Sequence, residues 1–413
     1  MGPMSAHPYP TMSWASAVSE LADTRRAAQE AAAAVSARLG GFEPDLAFVF
    51  FSAHHRADVP SLVTAVSEYL IPRYWIGCSA AGVIGDGREI EDRPGLSITA
   101  AHLAGVRIEP FRLDAGDLPD ADAAPRAWED ALGASAGDRP QFVVLAEPFS
   151  FPADDFVRGL DYAFPKSAKV GGLASAAEEP GGNVLIVDGD VLRSGAVGVA
   201  LSGAIVVDTI VARGCRAIGD AMRVTRAREH FILELDGRTP LELLRALLPR
   251  LSDRDQRLAR SAIFLGVSVD PLNDAPAAGD YLIRNILGVS PDSGALAVGD
   301  QPRVGQSVRF HLRDALASAE DLDLHLDRYA SDVLGAPGVV PPPGALLFSC
   351  RGRGKSLYGR PDHDTDAFRE KLGAIALGGF FANGEIGMVR GATHLHESTS
   401  SFALFREPAG PEG

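Results

Sequence analysis

Apolar and polar positions divide the chain into strand-length apolar runs and longer amphipathic stretches. An Ala-rich amphipathic stretch over residues 13–39 predicts a helix that ends at Gly40-Gly41. Continuous apolar runs bounded by turn residues predict buried strands. After this helix the pattern predicts, in order, the strand LAFVFFS (46–52), a helix from Pro60 to Leu70, and the strands RYWIGCSAAG (73–82) and GLSITAAHL (95–103).

The same order of elements returns twice along the chain. The second copy comprises a strand (141–147), a helix (154–164), and strands at 168–178 and 195–201. The third copy comprises a strand (345–350), a helix (364–376), and strands at 377–385 and 400–405. A weaker relative at 262–270 and 280–290 has no helix between its two strands. Such recurrence indicates one supersecondary unit that is used repeatedly.

This recurrence predicts a mixed α/β fold in which helices cover layered sheets. We expect two domains built from strand–helix–strand units with added β-hairpins. The predicted boundaries place an N-terminal helix and lead-in at 1–44, a first domain at 45–203, a second domain at 204–407 and a tail at 408–413.

Each recurring unit ends its second strand in small residues, as GCSAAG (77–82), GGLAS (171–175) and GGFFANGE (378–385). Small residues can serve close packing of the backbone. Their recurrence at equivalent places also fits a shared cleft at strand ends, where open α/β sheets usually bind ligands. The pattern leaves both explanations open.

Composition narrows the possible functions. The 413 residues are 46% hydrophobic and 23% charged, with a net charge of −15, which argues against nucleic acid as a partner. The N-terminus lacks the features of a signal peptide, and no apolar run reaches membrane-spanning length, so we expect no membrane insertion. Three widely spaced cysteines, Cys78, Cys215 and Cys350, fit reduced thiols in a cytoplasmic protein better than a disulfide framework.

The segment SCRGRGKSLYG (349–359) follows a strand and partly matches a phosphate-binding loop. Ser349 replaces the first glycine of that motif, and Gly359 with Pro361 should prevent the helix that it requires. The loop still offers Arg351, Arg353 and glycine amides, which together suit a carboxylate or another small anion.

Three catalytic or metal-binding alternatives have weaker support. GCSAAG resembles a serine nucleophile elbow, but Ala81 replaces its last glycine and the loop-like GVIGDGREI follows in place of a helix. Cys78 or Cys350 could act as the nucleophile of an enzyme only if a histidine lies nearby. His394 and His396 would share a face of a strand, but spacing places no third metal ligand.

Glu385 lies among glycines, which would let a backbone or ligand approach it closely. A carboxylate facing an Arg-Gly loop can receive a zwitterion. Glu385 would bind the ammonium, and the loop with Arg351 and Arg353 would bind the carboxylate. The alternative is that Glu385 forms an ion pair with one of these arginines.

The order of GCSAAG, ALLFSCRGRG, GGFFANGEIG and the Thr/Ser-rich strand HLHESTSSFALF resembles the FIST family over roughly residues 45–406. The resemblance implies N- and C-terminal FIST domains that form a sensory module for small ligands such as amino acids, to which no catalytic activity is assigned. Many members carry a fused output domain. Here one predicted helix precedes residue 45 and PAGPEG follows Glu407, so we expect a separate signalling partner.

We predict a ligand-binding protein and expect no catalytic residue, metal or cofactor. The alternative is an enzyme that acts on a small metabolite with Cys350 or Cys78 as its nucleophile. The residues expected to contact the ligand are Gly77, Cys78, Ser79, Ser349, Cys350, Arg351, Gly352, Arg353, Asn383, Gly384, Glu385 and Gly387.

Overall fold

The computed structural model describes residues 12–120, 122–260, 262–270, 273 and 276–409. The described residues form two compact units. The first unit runs to Val211 and also contains Leu322–Leu395 and the residues from Ser400 onward. The second unit comprises Ala212–Asp321 and His396–Thr399. The first eleven residues of the predicted lead-in and residues 410–413 of the predicted tail lie outside the described residues.

The first unit contains three repeats with the same order of elements. The first repeat comprises β1 (Met12–Ser19), α1 (Thr24–Arg38), β2 (Leu46–Ser52), α2 (Val59–Ser67), β3 (Tyr74–Ala80), β4 (Gly82–Gly85), β5 (Arg88–Glu91) and β6 (Leu96–Leu103). The second comprises β7 (Val106–Leu113), α3 (Pro125–Leu132), β8 (Gln141–Ala146), α4 (Ala153–Ala163), β9 (Lys169–Leu173), β10 (Leu185–Val187), β11 (Asp190–Leu192) and β12 (Ala196–Gly203). The third repeat begins with β13 (Val206–Arg213).

In the chain, the second unit follows β13. Its elements are β14 (Cys215–Ala217), β15 (Met222–Arg228), β16 (Phe231–Leu235), α5 (Pro240–Leu247), α6 (Asp253–Ala259), β17 (Ile263–Ser268), β18 (Tyr281–Val289), β19 (Leu296–Val298) and β20 (Ser307–Arg313). These seven strands form one sheet in the order β14-β20-β15-β16-β19-β18-β17, and β17 also pairs with β20. The sheet therefore closes on itself around a core that includes Val224, Leu265 and Phe310.

The third repeat resumes after β20, with most of its residues in the first unit. Its remaining elements are α7 (Ala315–Arg328), β21 (Gly344–Cys350), the single turn α8 (Lys355–Tyr358), α9 (His363–Leu372), β22 (Ala376–Ala382), β23 (Glu385–Val389), β24 (Ala392–His396) and β25 (Thr399–Arg406). The expectation of a mixed α/β fold built from recurring strand–helix–strand units is confirmed.

The repeats are linked by a cyclic exchange of hairpins. The three six-stranded sheets have the orders β1-β6-β2-β3-β10-β11, β7-β12-β8-β9-β23-β24 and β13-β25-β21-β22-β4-β5. In each sheet the two strands joined by a helix run parallel, as β2 and β3 do. The hairpin that follows each repeat's second parallel strand pairs with a neighbouring repeat's sheet. Each sheet is thus completed by another part of the chain.

The inner faces of the three sheets share one apolar core. This core brings together Phe48 and Phe50 of the first repeat, Val143 of the second, and Phe348 and Phe380 of the third. Because successive side chains of a strand point to opposite faces, the alternate residues lie on the outer faces beneath helices. The continuous apolar runs of the sequence follow from this burial on both faces.

Three sequence expectations were wrong in detail. Residues 13–19, assigned to the first helix, belong to strand β1, and the first helix starts only at Thr24. GVIGDGREI is not a loop but the hairpin β4–β5, whose first strand completes the third sheet. Strands β17 and β18, suggested as a weak fourth copy of the unit, pair antiparallel. The boundaries at 44, 203 and 407 stay a prediction.

The glycines of the small-residue segments allow neighbouring strands to approach each other closely. Gly77, Gly171 and Gly379 occupy equivalent positions, opposite residues 49, 144 and 347 of the parallel neighbour strands. A Cβ atom at any of the three would lie 1.9–2.1 Å from the carbonyl oxygen of that opposite residue. Backbone packing therefore accounts for these glycines without any ligand.

Candidate functional site

Two segments singled out from the sequence leave neighbouring strands at the same edge of a sheet. Cys350 and Ala382 end the parallel strands β21 and β22 and lie opposite each other. The amide of Arg351 donates to the carbonyl of Ala382 at 3.0 Å. The loop that contains Gly352 therefore starts beside the segment that leads to Glu385.

Glu385 begins β23 and lies opposite Gly172 of β9. Its side chain is fully buried. The next residue, Ile386, packs on the outer face of the sheet, so Glu385 points to the inner side. Gly384 precedes it with a φ of +128°, a conformation that favours glycine, while a Cβ at Gly387 would lie 2.7 Å from the Ser401 hydroxyl. The backbone around this carboxylate is therefore held closely.

Arg353 does not project from the loop but lies fully buried against helix α9. Its Nε and Nη2 donate to the two carboxylate oxygens of Asp364 at 2.9 and 3.1 Å, and Nη2 also donates to the Tyr358 hydroxyl at 2.6 Å. Burial alone would raise the pKa of Asp364, but the Arg353 guanidinium, with hydrogen bonds from His363 and Ser400, holds it well below its usual value. Both partners are therefore charged.

Two serine hydroxyls complete the surroundings of this ion pair. Ser349 Oγ lies 3.4 Å from an Asp364 oxygen and 3.3 Å from Ser400 Oγ, and Ser400 donates to the same carboxylate. Ser349 faces α9. Because successive side chains of a strand point to opposite faces, Cys350 points to the other side of the sheet. We refer to Ser349, Arg353, Asp364 and Ser400 as the α9 polar cluster.

The α9 polar cluster is a feature of the third repeat. By strand register, the pair Ser349 and Ser400 corresponds to Phe51 and Leu96 in the first repeat, and to residues 146 and 196, both alanine, in the second. Those four side chains are buried and apolar. The third repeat thus replaces an apolar outer face with a buried ion pair and two hydroxyls.

The turn after Arg353 differs from the sequence expectation. Gly359 and Pro361 do not prevent a helix, since the single turn α8 forms over Lys355–Tyr358 and ends at Gly359 with φ +71°. The Lys355 amide donates to the Glu91 carboxylate at 2.8 Å. A protein carboxylate therefore occupies the amide that a phosphate would use.

A buried carboxyl from the exchanged hairpin adjoins α9. Glu89 is 2% exposed, and its Oε1 accepts from the Thr365 amide at 3.0 Å. Burial, together with the charge of Asp364, raises the pKa of Glu89 to about 8. Among the described residues, Glu89 Oε2, Thr365 Oγ1 and Arg353 Nη1 have no hydrogen-bond partner. Three buried polar atoms around the start of α9 thus retain hydrogen-bonding capacity.

The raised pKa of Glu89 predicts a pH dependence of stability that Glu89→Gln should remove. The ordinary pKa of this carboxyl is 4.5, so the folded protein binds its proton more tightly than the unfolded chain does. The stabilisation that this tighter proton binding gives the folded state is complete below the pKa of Glu89 in the unfolded chain. It is lost as the pH rises from about 4.5 to about 8. Above that window the variant, which has no proton to lose, should be more stable than the wild type.

Urea unfolding between about pH 5 and about pH 9 measures this contribution as the difference between wild type and variant. Asp130→Asn is the control, because it removes a carboxylate on α3 from a side chain that is 65% exposed. The free energy of unfolding of this variant should change with pH as that of the wild type does. Parallel pH profiles for the wild type and Glu89→Gln would contradict the raised pKa.

The remaining predicted residues lie at strand ends or in the core. Cys78 is fully buried among apolar side chains, and burial raises the pKa of its thiol, so it is protonated at neutral pH and a poor nucleophile. Ser79 Oγ accepts from the Val184 amide at 2.9 Å. The Ser175 hydroxyl accepts from the Ala81 amide and donates to the Phe381 carbonyl, so the ends of β3 and β22 come together.

Two further predicted residues form contacts through their backbone amides. The Asn383 amide donates to the Leu173 carbonyl at 3.0 Å, and the Gly352 amide lies 3.5 Å from Cys350 Sγ. All three cysteines are thiols. Within the described ranges, no group of three His, Cys, Asp or Glu side chains is placed to hold a metal ion.

Sequence reasoning missed several residues of this region. Asp364, Ser400, Tyr358 and Glu89 were not among the predicted site residues. Asp364 lies eleven positions after Arg353 in sequence, and the alternation REIE at 88–91 could have indicated a strand with one buried carboxylate. The pairing of Glu89 with α9 depends on hairpin exchange, which no local pattern reveals.

Two family models and several relatives match this chain. Residues 45–238 match the FIST N domain and residues 240–388 match the FIST C domain. The chain is 38% identical over 393 residues to the uncharacterized protein Rv0628c of Mycobacterium tuberculosis, covering 94% of this chain and 98% of the relative. It is 36% identical to the uncharacterized protein Mb0898c of Mycobacterium bovis over 93% and 96% of the two chains.

A solved structure, cyanuric acid hydrolase from A. caulinodans, aligns over 96% of this chain and 99% of its own, with 8% identity and a TM-score of 0.38. The two domain matches and the relatives together define the class of protein. The chain belongs to the FIST family. FIST domains are generally sensory modules for small ligands, which supports a sensory role here. In the part of the chain that the structure describes, no helix has the length and apolarity needed to span a membrane.

Proposed function

We propose that this protein is a cytoplasmic sensor that binds a small zwitterion, such as an amino acid, between the loop 349–354 and Glu385. The observation that carries the proposal is the α9 polar cluster, which replaces apolar side chains in one repeat of three. A fully buried ion pair adds little net stability, because desolvation offsets most of the attraction. Its value to the fold is to fix the geometry of the loop beside Glu385.

The buried pair suggests a division of roles between the two arginines. Arg353 anchors the loop through Asp364. Arg351 has a side chain that is 40% exposed, and its ion pair with the exposed Glu178 is an interaction that costs little to replace. We infer that Arg351 and the glycine amides bind the ligand carboxylate, and that Glu385 binds the ammonium.

Several neighbours complete this proposed site. Cys350 and Gly387 lie on the inner side with Glu385, and Gly77, Cys78 and Ser79 belong to the strand whose end meets Phe381 through Ser175. The thiols suit a reducing compartment. We further propose that a separate signalling protein reads the ligand-bound state.

Glu385→Gln should abolish ligand-induced stabilisation. Each proteinogenic amino acid, added singly, serves as the probe, and thermal unfolding is the readout. A ligand present at about 100 times its dissociation constant stabilises the folded state by about 2.7 kcal/mol. At least one amino acid should raise the Tm of the wild type, and Glu385→Gln should remove that shift because the amide cannot neutralise an ammonium.

Two further variants keep this test decisive. Arg351→Gln changes an exposed side chain, so it should fold normally and weaken binding by about ten-fold. Asp130→Asn should keep the wild-type response. If no amino acid stabilises the wild type, or if both site variants retain the full shift, the proposed site is wrong.

A further inference from the structure

A cavity of about 310 Å³ lies on the first unit, away from the proposed loop site. Strand β1 and the end of α1 form one side, and the turn between β4 and β5 forms another. Helix α9 and the segment from Gly373 to Leu377 close the third side. Its volume is at the lower end of the range for sites that hold small organic molecules.

Two buried polar atoms belong to residues that line this cavity. Trp14 is 8% exposed and Thr365 is fully buried. Trp14 Nε1 and Thr365 Oγ1 have no hydrogen-bond partner in the described chain. A buried polar group without a partner destabilises the fold, so such groups usually bond to a water or a ligand.

The position of Trp14 is fixed by packing. Its ring stacks on Phe405 with centroids 4.6 Å apart, and a Cβ on Gly344 would lie 2.1 Å from the indole. The indole therefore cannot turn away to find another acceptor. Its N–H is an immobile donor.

Two guanidinium groups give the cavity lining an excess of positive charge. Arg38 donates to the Ser16 carbonyl and to Asp86 Oδ2, while Arg369 donates to Asp366 from Nη2. Each guanidinium carries five N–H donors, so both can bind a further acceptor. Among the described residues that line the cavity, Arg38 and Arg369 outnumber the one acidic residue, Asp86, so the lining favours an anion.

Apolar side chains form another part of the lining. Phe368 is buried and stacks on Phe402, while Ile375 and Leu377 contribute aliphatic surface from the segment after α9. A molecule held here would meet donors and positive charge in one part of the cavity and hydrocarbon in another.

We propose that this cavity is a second ligand site that binds a small monocarboxylic acid with an apolar body. The carboxylate lies at Arg38 and Arg369 and accepts from Trp14 Nε1, while the hydrocarbon packs on Phe368, Ile375 and Leu377. A rigid donor, a hydroxyl and two cations favour an acid over its neutral amide. This site shares no residue with the loop 349–354 and Glu385, and it goes beyond the proposed sensing of a zwitterion.

Isothermal titration of the full chain with 3-phenylpropionate, and with straight-chain carboxylates of four to ten carbons, tests the proposal. At least one acid should bind, and the matching amide should bind at least about ten-fold more weakly, because the amide cannot form charge-assisted hydrogen bonds. Quenching of indole fluorescence, lost in Trp14→Phe, should report the same dissociation constant.

Arg369→Gln should weaken binding of the acid by about ten-fold, and Thr365→Val by a smaller factor. Arg158→Gln is the matched control, because Arg158 pairs with Asp155 on α4 of the second repeat as Arg369 pairs with Asp366 on α9. Glu385→Gln should leave binding unchanged, which separates this site from the loop site. The proposal is overturned if the whole panel fails to bind the wild type, or if Arg369→Gln and Trp14→Phe bind the acid as the wild type does.

Discussion

Replacing Asp364 by alanine should lower the free energy of unfolding by about 3–5 kcal/mol. The substitution leaves the Arg353 guanidinium fully buried without its carboxylate, and the protein then bears the full desolvation cost of that charge. It also removes the acceptor shared by Ser349 and Ser400. Urea unfolding at neutral pH measures the loss.

Asp366→Ala on the same helix is the control for this substitution. Asp366 pairs with Arg360 and Arg369 at the surface, where an ion pair contributes at most about 1 kcal/mol. The double variant Arg353→Met with Asp364→Leu should recover much of the loss, since it leaves no buried charge. A cost below about 1 kcal/mol for Asp364→Ala would show that Arg353 reaches solvent or another partner.

Gly379→Ala should be similarly damaging, with a loss of about 3 kcal/mol in the free energy of unfolding. The added Cβ would lie 1.9 Å from the carbonyl oxygen of Leu347, in backbone that cannot move without breaking the parallel pairing. The φ of +147° adds strain for any side chain. Gly171→Ala should behave alike, because Gly171 is the equivalent residue of the second repeat.

Gly288→Ala is the matched control, since Gly288 also lies in a strand but a Cβ there would meet open space. Its stability should change by less than about 0.5 kcal/mol. Tolerance of alanine at both Gly171 and Gly379 would contradict the equivalence of the repeats and the close approach of their strands.

The sequence was sufficient to predict the recurring unit and its strands. LAFVFFS and ALLFSC are buried on both faces, so their apolar runs are continuous and easily recognised. The distance in sequence from the end of each unit's first strand to the glycines of its second strand is similar in the three units, and this spacing revealed the repeat. The spacing recurs because Gly77 and Gly379 meet the same backbone constraint. These features depend on residues that are close in sequence.

The features that sequence reasoning missed depend on distant pairings. MSWASAVS reads as the start of the adjoining Ala-rich helix, and becomes β1 only because β6 is available to pair with it. GVIGDGREI forms a hairpin because β22 of the third repeat receives β4. The position of Glu89 beside Thr365 follows from this exchange.

The candidate site was predicted only in part, for a similar reason. The repeat suggested parallel pairing of two strands. This pairing predicts that the 349–354 loop and the 382–385 segment leave adjacent strands. The direction of each side chain depends on strand alternation and on the position of α9. For this reason Arg353 is an anchor whose partner lies inside the protein. The sequence also gave no sign of the cavity lined by Trp14.

Amide hydrogen exchange tests the proposed sensory site most directly. The full chain is exchanged with and without an equimolar mixture of the proteinogenic amino acids, and peptides are compared by mass. The account predicts slower exchange in peptides that cover 349–354 and 382–387, and no such change in Glu385→Gln. Unchanged exchange in these peptides, or protection confined to 12–16 and 373–377 around the cavity, would contradict it.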